Sequence, residues 1–91
     1  MRKNRNEIQI MYEFLSCIND GENQVSSILR KVNITYTRMG EISKYLEERG
    51  MIKTIQNGEK TAFEIQQKGR EFLEEYKSFK KMMEKVYGLK I

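Results

Sequence analysis

Residues 33–60 read NITYTRMGEISKYLEERGMIKTIQNGEK, and the predicted fold is built around them. Apolar residues recur at helical spacing through its first half, which ends at Gly50, where the left-handed backbone of a helix terminus costs little only for glycine. Its second half has two short runs of strand-forming residues separated by Asn57-Gly58, a strong hairpin signal. The stretch therefore predicts a helix followed directly by a β-hairpin.

The details of this unit follow from its residues. Thr35 is a good N-cap, and the helix is predicted to run from there to about Arg49. Its buried side is expected to consist of Met39, Ile42 and Leu46. Strands are predicted at 51–56 and 61–65, joined by a type I′ turn in which Asn57 and Gly58 both have positive φ.

Two more helices are predicted before this unit. Residues 5–19 carry one apolar stripe (Ile8, Met11, Tyr12, Leu15, Ile18) and a second on roughly the opposite side (Ile10, Phe14, Cys17). A helix that is apolar on two sides usually packs against two partners. Residues 25–32 predict a short helix, and a connection of about three residues then leads to the helix at Thr35. The helix at 25–32 and the helix that begins at Thr35 form a helix-turn-helix. The β-hairpin that follows makes it a winged helix-turn-helix.

A long helix is predicted from Gln67 to about Gly88. It carries apolar residues in steps of 4, 3, 4 and 3, a heptad pattern that we call the seam, and it spans about 33 Å at the helical rise. The seam consists of Phe72, Tyr76, Phe79, Met83 and Val86. The predicted fold class is mainly α with a small β-hairpin (α+β): a winged helix-turn-helix at 1–66 and a dimerisation helix at 67–91, together one structural unit.

The composition of the chain limits the classes of function that it can have. The chain has 91 residues, no histidine, one cysteine and a net charge of +4. These counts exclude a disulfide within the chain and histidine-based catalysis, and argue against zinc. No long apolar segment is present. We therefore expect a cytoplasmic binding protein, not an enzyme, with no metal, cofactor, membrane or small-molecule partner. The positive charge favours a nucleic acid or an anionic surface.

In a helix-turn-helix the second helix enters the major groove of DNA. The candidate contacts on that helix are Tyr36, Thr37, Arg38, Gly40, Glu41 and Lys44. The wing offers Asn57 and Lys60, and a basic N-terminal arm offers Arg2, Lys3 and Arg5. Three glutamates on the helix, Glu41, Glu47 and Glu48, oppose phosphate contact unless they turn aside, although Glu41 suits a cytosine amino group.

The seam extends too far from its own domain for that domain to cover it, and an uncovered apolar helix invites aggregation. We therefore expect a homodimer, with antiparallel pairing best suited to separating two winged domains. The candidate dimer contacts are Phe72, Tyr76, Phe79, Met83, Val86, Ile10 and Phe14. The pairing orientation itself stays open, as does an intermolecular disulfide through Cys17, which is more often a buried apolar residue.

These residues resemble a known family. Tyr36, the three apolar residues of the predicted helix, ERGMI at 48–52, a hairpin and KGREFL at 68–73 are similar to small archaeal winged-helix DNA-binding proteins, of crenarchaea or their viruses, with a C-terminal antiparallel coiled coil. That family usually has a threonine capping the last helix, where this chain has Gln66 or Gln67. The resemblance implies binding of double-stranded DNA through the second helix and the wing, in a nucleoid or in a virus-infected host.

The expected function is a homodimeric DNA-binding protein acting as a transcriptional regulator. An architectural protein with weak sequence preference is the alternative within this class, although a charge of +4 is low for that role. A winged-helix module that binds protein is the alternative from another class, and the three glutamates favour it. Target sequence, effector and cellular or viral origin stay open.

Overall fold

The computed structural model of the protein describes residues 5–91. The elements follow in the order α1 (Glu7–Asn19), α2 (Val25–Ile28), a π-helical turn (Leu29–Asn33), α3 (Tyr36–Glu48), β1 (Ile52–Asn57), β2 (Lys60–Ile65) and α4 (Gln67–Tyr87). The fold class predicted from the sequence, a winged helix-turn-helix with a long C-terminal helix, is confirmed.

Helix α1 begins two residues later than predicted because Asn6 caps it. The Gln9 amide donates to Asn6 Oδ1 at 2.8 Å, and the Gln9 side chain accepts from the Asn6 amide at 3.0 Å, which forms a capping box. Arg5 therefore lies outside the helix. The prediction that α1 is apolar on two sides is confirmed by its buried residues, which include Phe14 and Cys17 as well as Leu15.

The helix predicted at 25–32 is shorter than expected. Its α-helical part ends at Ile28, and a π-helical turn carries the chain on to Asn33. Asn33 then takes a φ of +59°, which asparagine tolerates better than other residues with a side chain. This left-handed residue ends the turn and leads the chain into α3.

Helix α3 has the ends that the sequence predicted. Thr35 Oγ1 accepts from the Arg38 amide at 3.1 Å, and Gly50 has a φ of +72°. The Gly50 amide donates to the Glu47 carbonyl at 3.0 Å and the Met51 amide to the Leu46 carbonyl at 2.9 Å, which together form a Schellman motif. Because this motif reverses the chain within two residues, the hairpin starts directly beside α3.

The hairpin turn differs from the prediction. The strands pair antiparallel from Ile52 opposite Ile65 to Asn57 opposite Lys60, so Gly58 and Glu59 are the central turn residues. Among the described residues with side chains, only Asn33 has positive φ, so a type I′ turn centred on Asn57-Gly58 is wrong. Gly58 alone supplies the positive φ, which is the pattern of signs in a type II′ turn.

An isolated β-bridge, which no sequence pattern predicted, ties a loop to the two-stranded sheet. Gln24 forms a bridge with Ala62 of β2. Asn23 holds this loop in place, because its carbonyl accepts from the Phe63 amide at 2.9 Å and its side chain donates to the Phe63 carbonyl at 3.0 Å. The wing is thereby tied to the segment between α1 and α2.

One core lies between the helices and the sheet. Phe14 and Phe63 pack with their ring centroids 5.6 Å apart, which joins α1 to β2. All three apolar residues predicted for the buried side of α3 are in this core. The buried apolar residues are Phe14, Leu15, Cys17, Ile18, Ile28, Val32, Met39, Ile42, Leu46, Met51, Ile52, Phe63 and Leu73.

Helix α4 meets this core only through its first turns. Gly69 is buried there, and a Cβ on it would lie 2.5 Å from the Met51 carbonyl oxygen and 2.9 Å from Ile65 Cγ1. Further along, Tyr76 stacks on Tyr12 of α1 with ring centroids 4.3 Å apart. No side chain of α4 beyond Tyr76 is buried in the protomer.

Candidate nucleic-acid interface

The outer face of α3 is exposed over its whole length. Tyr36 is 72% exposed, and Thr37, Gly40 and Lys44 are exposed as well. A Cβ placed on Gly40 would meet nothing within 4 Å, so neither packing nor backbone conformation requires a glycine there. The predicted contacts on α3 therefore lie on a surface that a large partner can reach.

Arg38 is held by two carboxylates at the edge of this face. Its guanidinium donates to both carboxylate oxygens of Glu7, at 2.6 Å for Oε1, and to Glu41 Oε1 at 3.3 Å. The hydrogen bond to Glu7 is the largest cause that raises the pKa of Arg38. Arg38 and Glu41, predicted as separate DNA contacts, therefore form one ionic cluster with a residue of α1.

The other charged side chains of α3 turn toward neighbours in different ways. Glu47 accepts a hydrogen bond from the Thr54 hydroxyl of β1, so it points at the wing. Arg49 lies over the Tyr45 ring at 3.5 Å from its centroid. Glu48 is exposed. Of the three glutamates on α3, two therefore have partners within the protomer.

The wing lies next to the N-terminal end of α3. Tyr36 lines a cleft of about 370 Å³ together with Glu59 and Lys60 of the wing and with residues of α2. Asn57 and Lys60, the two wing residues predicted to contact DNA, are exposed and face each other across the end of the hairpin. The structure thus brings the wing and the start of α3 to one surface.

The predicted basic arm is only partly described. Arg2 and Lys3 lie outside the described residues. Arg5 is committed to its own domain: its guanidinium pairs with Glu13 and donates to the backbone carbonyls of Val32 at 2.8 Å and Asn33 at 3.2 Å. Arg5 thus fastens α1 to the turn before α3, and its placement in an extended arm is wrong.

The seam residues differ in their surroundings. Phe79 is 48% exposed and Val86 64%, whereas Phe72, Met83 and Ile10 are half-buried. Tyr76 is half-buried against Tyr12, so the part of the seam that its own domain leaves uncovered begins beyond it. Phe14 has no exposed surface and belongs to the protomer core, so its predicted place among the dimer contacts is wrong.

Cys17 is buried, as a small apolar residue would be. Its thiol donates to the Glu22 carbonyl at 3.3 Å, and burial, followed by the charge of Glu22, raises its pKa. A raised pKa keeps the sulfur in the unreactive thiol form near neutral pH.

Three important contacts were not predicted from the sequence. Glu7 pairs with Arg38, Tyr12 stacks on Tyr76, and Gly69 allows α4 to approach Met51. The Asn6-to-Gln9 capping box is a readable signal that places Glu7 in the first turn of α1. Arg38, the partner of Glu7, is 31 residues further along the chain. Tertiary packing brings the two together, and no local sequence pattern encodes that contact.

Two kinds of feature are missing from residues 5–91. They contain no group of three His, Cys, Asp or Glu side chains placed to hold a metal ion. None of their helices is both long and apolar enough to cross a membrane.

Comparison with known proteins identifies the class. A sequence model of the winged helix-turn-helix family matches residues 4–84, so the chain belongs to that family.

Two crystal structures share the fold. Sso10a-2, described as a DNA-binding protein from Sulfolobus solfataricus, superposes with a TM-score of 0.76 at 20% identity, over 92% of this chain and 87% of that one. The AF1382 protein from Archaeoglobus fulgidus superposes with a TM-score of 0.72 at 23% identity, over 85% of this chain and 86% of that one. No curated protein sequence matches the chain.

Proposed function

We propose that the protein is a homodimeric double-stranded DNA-binding protein that acts as a transcriptional regulator. The observation that carries the proposal is the exposed face of α3 beside the wing, within a winged helix-turn-helix family member. The similarity in fold to a protein described as DNA-binding supports the same partner here. We also propose a cytoplasmic location and a binding role without catalysis.

The proposed contacts differ in kind. Thr37 and Gly40 lie near the start of the exposed face of α3, where recognition helices meet base edges. Lys44 of α3 and Lys60 of the wing suit phosphates, and Tyr36 and Asn57 suit sugar or phosphate oxygens at the boundary between α3 and the wing. Arg38 and Glu41 reach bases from the edge of the face, once their mutual contact opens. Arg2 and Lys3 complete the set as a proposed basic arm.

Dimerisation is proposed from the uncovered part of α4. Phe79 and Val86 belong to the heptad seam, and Tyr87, next to the seam, is 61% exposed. Together with half-buried Met83 they form an apolar face on about three turns of helix. A second copy of the same helix matches such a seam in length and period.

The charge distribution along α4 favours antiparallel pairing. Residues 67–76 contain three glutamates and two basic residues, whereas residues 77–87 contain four lysines and one glutamate. Antiparallel helices set the acidic half of one beside the basic half of the other, within the roughly 10 Å over which charges act at 0.1 M salt. Parallel helices would set four lysines beside four lysines.

The scarcity of positive charge on α3 favours a regulatory role over an architectural one. Helix α3 has two basic residues against three glutamates, so its surface gives little non-specific attraction to phosphate. Two weak domains held in one dimer gain affinity when both half-sites are present, since the second contact becomes intramolecular. Such a protein discriminates among sequences better than it coats DNA.

The experiment is selection of duplexes from a random-sequence pool by the purified protein, followed by sequencing. Enrichment of inverted half-sites at a constant spacing is the expected result. Binding without enrichment would replace the regulator with an architectural protein. The same Glu41 and Glu48 that weaken phosphate contact favour the protein-binding alternative, and failure to shift any duplex at about 50 mM salt would support it.

A further inference from the structure

The excess positive charge of the chain lies at one end. Residues 1–76 contain twelve basic and twelve acidic residues, so the winged helix-turn-helix and the first half of α4 are together neutral. Residues 77–91 contain five lysines and a single acid, Glu84. The net charge of +4 is therefore the charge of the distal half of α4 and the residues after it.

Three of these lysines share one side of the helix. Lys77, Lys81 and Lys85 follow each other at intervals of four residues, which at 3.6 residues per turn forms a single stripe about 12 Å long. We call it the lysine stripe. On the helical wheel it lies opposite Phe79 and Met83 of the seam, so that pairing of two helices through their seams leaves it facing outward.

The lysine stripe is exposed and forms no ion pair with the glutamates nearest to it on α4, Glu74 and Glu84. All three of its side chains are exposed. Within residues 5–91, the ion pairs join Arg5, Lys31 and Arg38 to glutamates, and none includes a residue of the stripe. The cations of the winged unit are thus partly neutralised within the protomer, whereas Lys77, Lys81 and Lys85 form no ion pair among the described residues.

We propose that the lysine stripe is a second DNA-binding surface, which contacts the phosphate backbone. The proposal rests on the proposed function, because it assigns the non-specific part of the binding energy to α4 and leaves the sequence-reading part to α3 and the wing. Duplex DNA presents one negative charge per about 1.7 Å of its axis, so a stripe about 12 Å long can meet several phosphates at once. In a dimer two such stripes lie on the outside of the paired helices.

The stripe predicts a specific thermodynamic signature. Each phosphate that a lysine neutralises adds about 0.9 to the slope of log affinity against log salt concentration. A dimer in which Lys81 and Lys85 are replaced loses four positive charges. If at least half of them contact phosphate, the slope falls by about 2.

The test compares salt slopes by fluorescence anisotropy on one labelled duplex. The K81Q/K85Q variant is chosen because Lys77 also borders a cleft beside α1, whereas Lys81 and Lys85 do not. Two controls accompany it: K81R/K85R, which keeps the charges, and K31Q/K68Q, which removes the same number of charges elsewhere. The proposal expects a slope lowered by about 2 in K81Q/K85Q and lowered by less than about 1 in both controls.

Three results would overturn the proposal. Equal salt slopes for the wild type and K81Q/K85Q, with DNA binding intact, would show that the lysine stripe does not contact phosphate. The proposed function would be unaffected. If the salt slope falls equally in K81Q/K85Q and K31Q/K68Q, the cause is the net charge of the protein and not the position of the lysines. A K81Q/K85Q protein that sediments as a monomer would assign the lysines to pairing. If the wild type binds no duplex at low salt, the proposed function itself fails.

Discussion

Arg38 in the first turn of α3 is paired with Glu7 in the first turn of α1. The pair lies where the proposed DNA surface begins, so a guanidinium that is proposed to contact bases is held by its own protein. Glu41 adds a second, longer contact from within α3. DNA must therefore compete with two carboxylates for this arginine.

Replacing Glu7 with glutamine is expected to tighten DNA binding. The E7Q change removes a negative charge from the surface and releases Arg38 from its strongest partner, so we expect about 2- to 5-fold higher affinity at low salt, the equivalent of about 0.4–1 kcal/mol. Stability should change by less than about 1 kcal/mol because the pair is exposed. The measurement is duplex affinity by anisotropy, with R38Q as the matched control, expected to bind more weakly. Weaker binding by E7Q would mean that Glu7 orients Arg38 for DNA.

Replacing Gly40 with alanine should raise the stability of the protein and lower its affinity for DNA. A methyl group at this position meets nothing, and alanine is favoured over glycine in a helix by about 1 kcal/mol, so G40A should raise the free energy of unfolding. The same methyl group would hold the backbone of α3 away from a duplex and so weaken binding. Denaturant unfolding and duplex affinity measured on one preparation test both parts. A variant that is stabilised and binds as well as the wild type would show that DNA does not approach this point closely.

Replacing Gly69 with alanine should lower the stability of the protein, in contrast to the same change at Gly40. Its Cβ position is occupied by the Met51 carbonyl oxygen and the Ile65 side chain, so G69A must push α4 away from the hairpin. Overpacking of this kind costs about 1–3 kcal/mol, and here it acts against the helix propensity of alanine. Chemical denaturation of G69A beside G40A gives the comparison. Equal stabilisation of both variants would contradict the close packing of α4.

The seam predicts a mutant that loses pairing but keeps its fold. Phe79 is half exposed in the protomer, so F79E should leave the winged unit folded and yield a monomer, because a dimer would have to bury one carboxylate from each chain in the apolar seam. Ser78 is exposed and lies away from the seam, which makes S78E the matched control. Light scattering measures the mass and circular dichroism the fold. A monomeric S78E, or a dimeric F79E, would show that the seam does not pair.

Tyr76 predicts a loss of stability in alkali. Burial, followed by the charges of Tyr12 and Glu13, raises the pKa of its phenol. The folded protein therefore favours the neutral phenol, and this contribution is complete below the ordinary pKa of about 10 and disappears as the pH rises through the higher folded value. Thermal unfolding of the wild type should weaken more between pH 9 and 11 than that of Y76F. Equal losses in the two proteins would mean that Tyr76 does not titrate with unfolding.

Local patterns predicted most of the fold. Thr35 and Gly50 set the ends of α3, and the heptad steps set the extent of α4, because caps and periodicity act over a few residues. The turn was placed one residue too early because Asn-Gly fits a type I′ turn, whereas the pairing register, set by the core, puts Gly58 first.

The candidate site was less predictable than the fold. Residue type and helical phase placed Thr37, Gly40 and Lys44 on an exposed face. They did not reveal that Arg5 binds the turn before α3, or that Arg38 binds Glu7, since both contacts join segments about 30 residues apart. Long polar side chains reach many alternatives, and only the packed structure selects among them.

The central claim is that two chains, joined through α4, hold one duplex together. Native mass spectrometry of the protein with a duplex of about 40 bp, long enough for two half-sites spaced by whole turns, tests it most directly. We expect a complex of two 10.9 kDa chains on one duplex, and a dimer in the absence of DNA. Single chains bound independently, with a monomeric protein off DNA, would contradict it.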